Sequence, residues 1–370
     1  MRGDYFQIEE ASKDRGAVVS MSGGVDSAAA ALLLRDAGFR VVGLTMKNFC
    51  FGNVDLPERS CCSREAVEDA RRTCEQLGLT HRVIDVEELF TREVVDNFVA
   101  EYENARTPNP CIRCNSKVRF RTLIDHAARL GLDYAATGHY ARLHRGEDGR
   151  IRIARALSAS KDQSYFLSPI NDRAILERVL FPLGELDKAD VREIAVQRGL
   201  HVAEKDESQE VCFITGGSLK SFLSKKIPFK PGPIESVVGE VIGQHEGLGL
   251  YTIGQRRKLG IATGTPQYVV KLDPSRNALV IGDAEDLRTS HLTCTLDWMD
   301  EVVEGSGRGV SAQIRSRHRP AKVKEIERRG RLCGVVFEKP QSAICPGQTI
   351  AFYKDDVVVG SGVIDASTDD

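Results

Sequence analysis

Nowhere in these 370 residues is there an apolar run approaching membrane-spanning length, and the N-terminal Met-Arg-Gly-Asp-Tyr-Phe-Gln has no apolar signal region. Those absences predict a chain that is neither membrane-embedded nor secreted, and the compartment reads as cytoplasm. No charge sign dominates: 51 Lys and Arg stand against 53 Asp and Glu, a formal net charge of -2. A global pull towards nucleic acid is excluded, so any polyanion must be held by local patches. The ten cysteines are unevenly spaced. In a non-secreted chain this argues against a disulfide framework and for reduced, reactive or metal-bound thiols. Low-complexity segments are missing, as are internal repeats beyond a strand–helix rhythm. What remains, 41% hydrophobic and 28% charged residues, is the composition of a soluble globular protein long enough for two or three domains.

The stretch Val18-Val19-Ser20-Met21-Ser22-Gly23-Gly24-Val25-Asp26-Ser27 is the most informative. Two β-branched residues end a buried-looking strand, a small-residue turn follows, and Ala28 to Leu34 starts a helix of high propensity. Such a junction leaves backbone N–H groups unpaired at the positive end of a helix, which is an anion site. Gly23 and Gly24 allow close approach of a phosphate, while Ser22 and Ser27 add hydroxyl donors. Asp26 would repel that ligand unless a cation intervenes, which suggests Mg²⁺. The turn has neither the Gly-Lys-Ser/Thr of a P-loop nor the dinucleotide pattern G-x-G-x-x-G. An ordinary tight turn with Ser and Asp capping the helix is the plain alternative.

From residue 17 to about 205 a Gly repeatedly ends a helix just before a strand, at Gly38, Gly78 and Gly131, and again at Gly199. Strands spaced by helices in this way predict a doubly wound parallel α/β sheet, with ligands beyond the strand carboxyl ends, where Ser22 to Ser27 lie. Past 205 short β-branched runs take over, among them Val237–Ile242, Gln267–Leu272, Gly334–Phe337 and Asp356–Gly360. The expected division is a catalytic domain over 1–205, a small β-rich domain over 206–285 and a β-barrel-like domain over 286–370.

Three further features carry chemistry. In Thr107-Pro108-Asn109-Pro110-Cys111-Ile112-Arg113-Cys114-Asn115, two prolines forbid helix, so the cysteines are expected on a fixed, exposed loop before a helix starting near Ser116. A helix N-terminus and the cations Arg113, Lys117, Arg119 and Arg121 would favour a Cys114 thiolate. A zinc half-site is the alternative for Cys-x-x-Cys, although no second such pair exists. Cys212 lies between Val211 and Phe213 and alone reads as a core cysteine. The vicinal Cys61-Cys62 is divided between local packing and a redox or metal role. Cys50, Cys74, Cys294, Cys333 and Cys345 read as structural, and so does His139. Three segments suit RNA: Ala159–Leu167, the glycine turn with three successive cations Tyr251–Lys258, and Gln313–Pro320. In the last, basic residues are expected to alternate along a strand.

Ser-Gly-Gly-Val-Asp-Ser, Thr-Pro-Asn-Pro-x-x-x-Cys-Asn, Gly-His-Tyr at 138–140, Lys-Asp-Gln-Ser-Tyr-Phe-Leu, Val-Cys-Phe-Ile and Tyr-Thr-Ile-Gly-Gln-Arg-Arg-Lys occur in that order. With these motifs the chain closely resembles the bacterial tRNA-uridine 2-sulfurtransferases, or tRNA-specific 2-thiouridylases, from about residue 16 to 320 or beyond. The resemblance implies a pyrophosphatase-loop fold and a two-stage reaction on the wobble uridine of a tRNA. ATP-Mg²⁺ adenylates the C2 oxygen with release of pyrophosphate, and sulfur then displaces AMP.

The resemblance also implies residue roles. Ser20, Met21, Ser22, Gly23, Gly24, Val25, Asp26 and Ser27 would hold the ATP phosphates, Asp26 facing Mg²⁺ through ATP, with Met46 and Gly138 near the adenosine. Asn109, Pro110 and Cys111 would face the target base. Cys114 would be the nucleophilic or resolving cysteine and Cys212 the persulfide carrier. Lys161, Asp162, Gln163, Arg315 and Ser316 would touch tRNA. Implied partners are tRNAs for Lys, Glu and Gln and a sulfur donor such as a cysteine desulfurase or a sulfur-relay protein. Many members have Asp where this chain has Cys111. Cys111, Cys114 and Cys212 therefore also resemble the three-cysteine set of sulfurtransferases that bind a 4Fe–4S cluster. Another tRNA thiolase making 4-thiouridine or 2-thiocytidine, an amide ligase with the same ATP loop, and a zinc-stabilised RNA-binding module are the rival readings.

Overall fold

The computed structural model of the chain describes residues 3–5, 15–48, 64–205, 211–214, 218–261, 264–303 and 307–368. It consists of two compact units. One comprises Met1–Val95, Cys111–Gly216 and Asp356–Val358, the other Asp96–Pro110, Gly217–Asp355 and Val359–Asp370. No helix among the described residues is long and apolar enough to cross a membrane.

The first unit is built around the strand Gly16–Ser20, whose Ala17, Val18 and Val19 are fully buried. A strand covered on both faces reads as a continuous apolar run, the pattern of a parallel sheet with helices on each side. Arg40–Lys47 and Tyr134–Ala136 flank it in parallel, with Thr80–Asp85 beyond the first and Val179–Leu180 beyond the second. The strand order reverses at Gly16–Ser20, so its carboxyl end is the topological switch point. The expected doubly wound sheet is present, and the Ser20–Ser27 loop leaves it at the place where such sheets bind ligands. The helix Val25–Asp36 follows at once. Its Ala28, Ala29, Ala30 and Ala31 are all fully buried, because a helix apolar all round can be enclosed. The four glycines expected to stop helices, at 38, 78, 131 and 199, have φ of 91°, 68°, 61° and 65°.

One local expectation is overturned here. Pro110 does not forbid helix but begins one: Pro110–Arg113 is a helical turn that continues as a π-helical stretch, Cys114–Arg119, and then as the helix Phe120–Arg129. Proline is suited to a first helical position, where its missing N–H has no partner to lose and its φ is already set. The cysteines therefore lie in the first turns of a helix rather than on a loop before it.

The second unit holds a four-stranded sheet ordered Val241–His245, Gly232–Ser236, Ala278–Gly282, Tyr268–Asp273. Ile234, Val269, Leu279 and Ile281 form its buried core, joined by Ala105 of the Asp96–Pro110 segment. The run Val237–Ile242, expected as a strand, is mostly the turn of a hairpin. Ser236 and Glu240 close it by a backbone bond of 2.8 Å, Gly239 has φ of 86°, and Val238 is 84% exposed. Glycine at a left-handed position outweighs the β propensity of its valine neighbours.

Six further strands complete the expected C-terminal barrel. Val357–Thr368, Arg288–Met299, Leu332–Ser342, Ala321–Arg329, Val310–Gln313 and Thr349–Lys354 follow one another around it, and the last pairs back with the first. Closure removes the open edges that an antiparallel sheet would otherwise present.

Candidate active site

One cavity of the first unit is lined by Ser20, Met21, Ser22, Asp26 and Ser27 of the loop, by Met46 at the end of the neighbouring strand, and by Gly138 and Gln163. The loop is held in shape by Ser27. Its Oγ accepts from the Ser22 N–H and lies 3.2 Å from the Ser22 hydroxyl, and it donates to the Gly24 carbonyl at 2.9 Å. Gly24 is the extended residue before the helix, and Val25 points into the core. Gly138 makes the cavity possible by close approach. A Cβ there would lie 2.7 Å from the carbonyl carbon of Asp26 and 2.8 Å from the Ser27 nitrogen.

Asn48, Arg119, Thr137 and His139 also line this cavity. The His139 Nδ1 is 2.7 Å from the Thr137 hydroxyl, and its ring packs near Phe120 and Phe181. Burial, reinforced by the charge of Arg119, pushes its pKa down to about 3. The imidazole is therefore neutral at physiological pH. Arg119 is the signal that a reading of the cysteine motif alone misses: it closes the π-helical stretch that Cys114 opens. Irregular helix of this kind is often found at functional sites.

Asp26 is satisfied by protein groups. Lys188 Nζ lies 2.7 Å from Oδ1 and 2.8 Å from Oδ2, and the Tyr140 hydroxyl donates to Oδ1 at 2.7 Å. Both partners are remote in sequence. Asp26 faces the cavity with its side chain 30% exposed, and both of its oxygens already have a protein partner.

The three cysteines of interest differ in setting. Cys111 is exposed, Cys114 is 7% exposed and Cys212 is half-buried. Asn115, beside Cys114, donates from Nδ2 to the Phe166 carbonyl at 3.1 Å, and Phe213, beside Cys212, packs edge-on against Phe90. Among the described residues no three His, Cys, Asp or Glu side chains are grouped to hold a metal ion. Cys111, Cys114 and Cys212 are all described, and as placed they do not form the three-thiolate set that an iron–sulfur cluster needs. The arrangement offers no zinc site to Cys111 and Cys114 either. Cys50, Cys61 and Cys62 lie outside the described residues. Cys74, Cys294, Cys333 and Cys345 are buried, and burial pushes the Cys74 and Cys345 thiols up to about 11.

The segments expected to meet RNA are distributed between the units. In the first, the Asp162 carboxylate is turned inward. It accepts from the Ala156 and Ser164 N–H groups and from the Ser164 hydroxyl, and pairs with Arg155 at 3.2 Å. Gln163 accepts from the Tyr140 N–H at 3.0 Å and faces the cavity, and Lys161 beside them is half-buried. In the second unit, Arg256, Arg257 and Lys258 are exposed together. Gln313–Pro320 is not the expected strand. The strand ends at Gln313, whose Nε2 donates to the carbonyls of Arg315 and Ser316 and folds the chain into a turn. Arg315 reaches back to the Ser342 carbonyl at 2.8 Å, while Ser316, Arg317 and Arg319 are exposed. Asn109 and Pro110 end a segment anchored in the same unit: the Thr107 N–H donates to the Pro346 carbonyl and the Thr107 carbonyl accepts from Gln348, each at 2.8 Å.

Residues 15–216 match the family model described as a tRNA methyl transferase HUP domain. Residues 220–283 match a tRNA methyl transferase PRC-barrel domain and 289–364 an aminomethyltransferase beta-barrel domain. A tRNA-specific 2-thiouridylase MnmA of Moorella thermoacetica is 44% identical over 357 residues, covering 94% of this chain and 99% of its own. Its counterpart in Chloroflexus aurantiacus is 42% identical over 351 residues, covering 94% and 97%. Among solved structures, a 4-thiouridine synthetase–RNA complex with bound ATP aligns over 57% of this chain and 49% of its own, at 20% identity and a TM-score of 0.34.

Proposed function

The chain belongs to the family of tRNA-specific 2-thiouridylases, and from that premise we propose how its own residues carry out the reaction. The enzyme is a sulfurtransferase that modifies tRNA. The observation that carries the mechanistic reading is the convergence of the Ser20–Ser27 loop, Met46, Gly138 and Arg119 on one cavity, with Cys114 at the other end of the helical stretch that delivers Arg119.

In this reading ATP occupies the cavity, its phosphates against the N–H groups of the turn and the start of the helix Val25–Asp36. The wobble uridine, presented by Asn109 and Pro110, offers its C2 oxygen to the α-phosphate. Pyrophosphate leaves and an adenylated base results. A carbonyl oxygen is a poor leaving group, whereas AMP is a good one. The base must leave its stack to reach the site. A persulfide on Cys212 then attacks C2 through its terminal sulfur, and the C–O bond to AMP breaks. The Cys114 thiolate attacks the inner sulfur of Cys212. The S–S bond to the transferred sulfur breaks, 2-thiouridine departs, and a Cys114–Cys212 disulfide remains. That disulfide needs two electrons from an external dithiol, and an upstream sulfur carrier must reload Cys212. The tRNAs are those for Lys, Glu and Gln, the compartment is the cytoplasm, and Lys161, Arg315 and Ser316 contribute to backbone contacts.

Nucleoside mass spectrometry tests this after incubation of an unmodified glutamate tRNA transcript with enzyme, ATP-Mg²⁺ and a persulfide source. Wild type is expected to make 2-thiouridine, and Cys212→Ser to release pyrophosphate without thiolation. Thiolation persisting in Cys212→Ser would remove the persulfide route. Pyrophosphate release from both with no 2-thiouridine would move the target to another base.

A further inference from the structure

Asp26 is the residue for which the sequence calls for a cation, and the fold already supplies one. The Lys188 ammonium spans both of its oxygens at 2.7 and 2.8 Å, and the side chain is only 13% exposed. The carboxylate is also fixed from a third direction by Tyr140, itself 2% exposed. Lys188 is not a casual surface partner: it is the first residue of the helix Lys188–Gln197, and its position is set by the Asp187 N–H donating to Asp190 at 3.0 Å.

We propose that Lys188 is the resident cation of the phosphate site, held by Asp26 beside the Ser22–Ser27 turn, and that divalent metal arrives on the nucleotide's phosphates rather than on Asp26. The proposal rests on the reading of this loop as the ATP phosphate site. Electrostatics favours it. A divalent ion on Asp26 would share its two oxygens with the ammonium that already contacts both, and the two like charges would repel at close range. The carboxylate therefore holds one cation or the other. Lys188 is tethered, so its effective concentration exceeds that of a free millimolar ion. Mg²⁺ gives up its waters reluctantly and is usually held by one or two carboxylates together with substrate phosphates. Among the described residues Asp26 belongs to no group of three or more His, Cys, Asp or Glu side chains that could hold a metal ion. The pair leaves the turn without net negative charge. Asp26 acts as a positioning residue for the ammonium, and the ammonium meets the incoming phosphates.

Electron paramagnetic resonance of Mn²⁺ with the full-length protein tests this without requiring turnover. Wild type is expected to bind no stoichiometric Mn²⁺ alone and one Mn²⁺ when ATP is added. Lys188→Met is expected to gain an Mn²⁺ signal without ATP that disappears in Lys188→Met/Asp26→Asn, and to bind ATP about tenfold or more weakly, the loss of a charge-assisted contact. Lys188→Arg, which keeps the cation, is expected to recover most of the ATP affinity with no nucleotide-free Mn²⁺ site. Circular dichroism confirms that each variant is folded. The proposal is overturned if nucleotide-free wild type binds Mn²⁺ and Asp26→Asn abolishes that binding, or if Lys188→Met keeps wild-type ATP affinity. Failure of wild type to bind ATP at all would overturn the phosphate-site reading first, and this proposal with it.

Discussion

Tyr140 donates its hydroxyl to Oδ1 of Asp26 at 2.7 Å across 114 residues of chain. The bond ties the Gly138-His139-Tyr140 segment to the first turn of the helix Val25–Asp36, two pieces that meet only in the folded sheet. Hydrogen bonds to charged groups contribute about 1.5–3 kcal/mol. Tyr140→Phe keeps the ring and deletes one donor. Pyrophosphate release at subsaturating ATP is expected to fall by about tenfold with the fold retained, measured as kcat/KM for ATP alongside a thermal melt. An unchanged kcat/KM would show that Asp26 is ordered without this bond.

Gly138→Ala addresses the same junction from the backbone side. The new methyl would lie 2.7 to 2.8 Å from main-chain atoms of Asp26 and Ser27. Backbone cannot swing aside as a flexible side chain can, so the 137–139 turn and the helix start must separate. Overpacking of this kind costs about 1–3 kcal/mol. ATP affinity is expected to fall further than stability, because the displaced atoms form the cavity wall. Calorimetric titration with ATP and a denaturant melt measure the two effects separately. Native ATP affinity in a folded Gly138→Ala protein would place the nucleotide away from this wall.

The contrast between these residues and the loop itself explains what a linear reading could deliver. Ser22 to Ser27 carry their whole requirement locally: a buried strand, two glycines, two hydroxyls and a helix, all within ten positions. Lys188 and Tyr140 act on Asp26 only after the chain has passed back through the sheet, and nothing near them in sequence marks the partner. Arg119 was visible as one of several cations near Cys114. Its turn towards the cavity depends on the π-helical geometry of Cys114–Arg119, which no spacing announces. Elsewhere the local signal misleads. Pro110 reads as a helix breaker although a first helical position accommodates it, and Val237–Ile242 reads as a strand although Gly239 makes a turn of it. The alternation of Arg315, Ser316 and Arg317 suggests a strand, whereas Gln313 bonds two carbonyls ahead of itself and ends the pairing.

The neutral His139 gives a pH signature. Its pKa is pushed from 6.5 down to about 3. Below pH 6.5 the unfolded chain takes up a proton that folded His139 refuses, so stability is lost as pH falls, by about 1.4 kcal/mol per pH unit across that window. Carboxylates held low, such as Asp85 and Asp148, lose their contribution only below about pH 4, where the unfolded carboxyl begins to protonate. His81 and His318, also pushed down, contribute to the wild-type slope. Urea melts between pH 7 and 4.5 of wild type and His139→Gln isolate this residue. The variant is expected to lose less stability on acidification, and parallel profiles would show that the imidazole is protonated as freely folded as unfolded.

Gln348 offers a way to separate base presentation from ATP chemistry. Its Nε2 donates to the Thr107 carbonyl at 2.8 Å, the Thr107 N–H donates to the Pro346 carbonyl, and the Thr107 hydroxyl meets that of Thr252 at 3.3 Å. The Pro346–Gln348 loop is in turn pinned to the barrel, through Gly347 to the Ile364 carbonyl and through the Ile364 N–H to Gln348. Pro108, Asn109 and Pro110 thus extend from a clamped residue, and the prolines limit further wandering. Gln348→Ala opens one jaw of the clamp at a stability cost of about 1 kcal/mol. If Asn109 and Pro110 present the uridine, the variant should thiolate tRNA several-fold more slowly at saturating ATP while its ATP affinity stays at the wild-type value. Misplacement of a reactant by an ångström costs rate rather than nucleotide binding. Equal losses in both would mean that the clamp supports the whole enzyme, and no loss in either would remove the Thr107 segment from the path of the base.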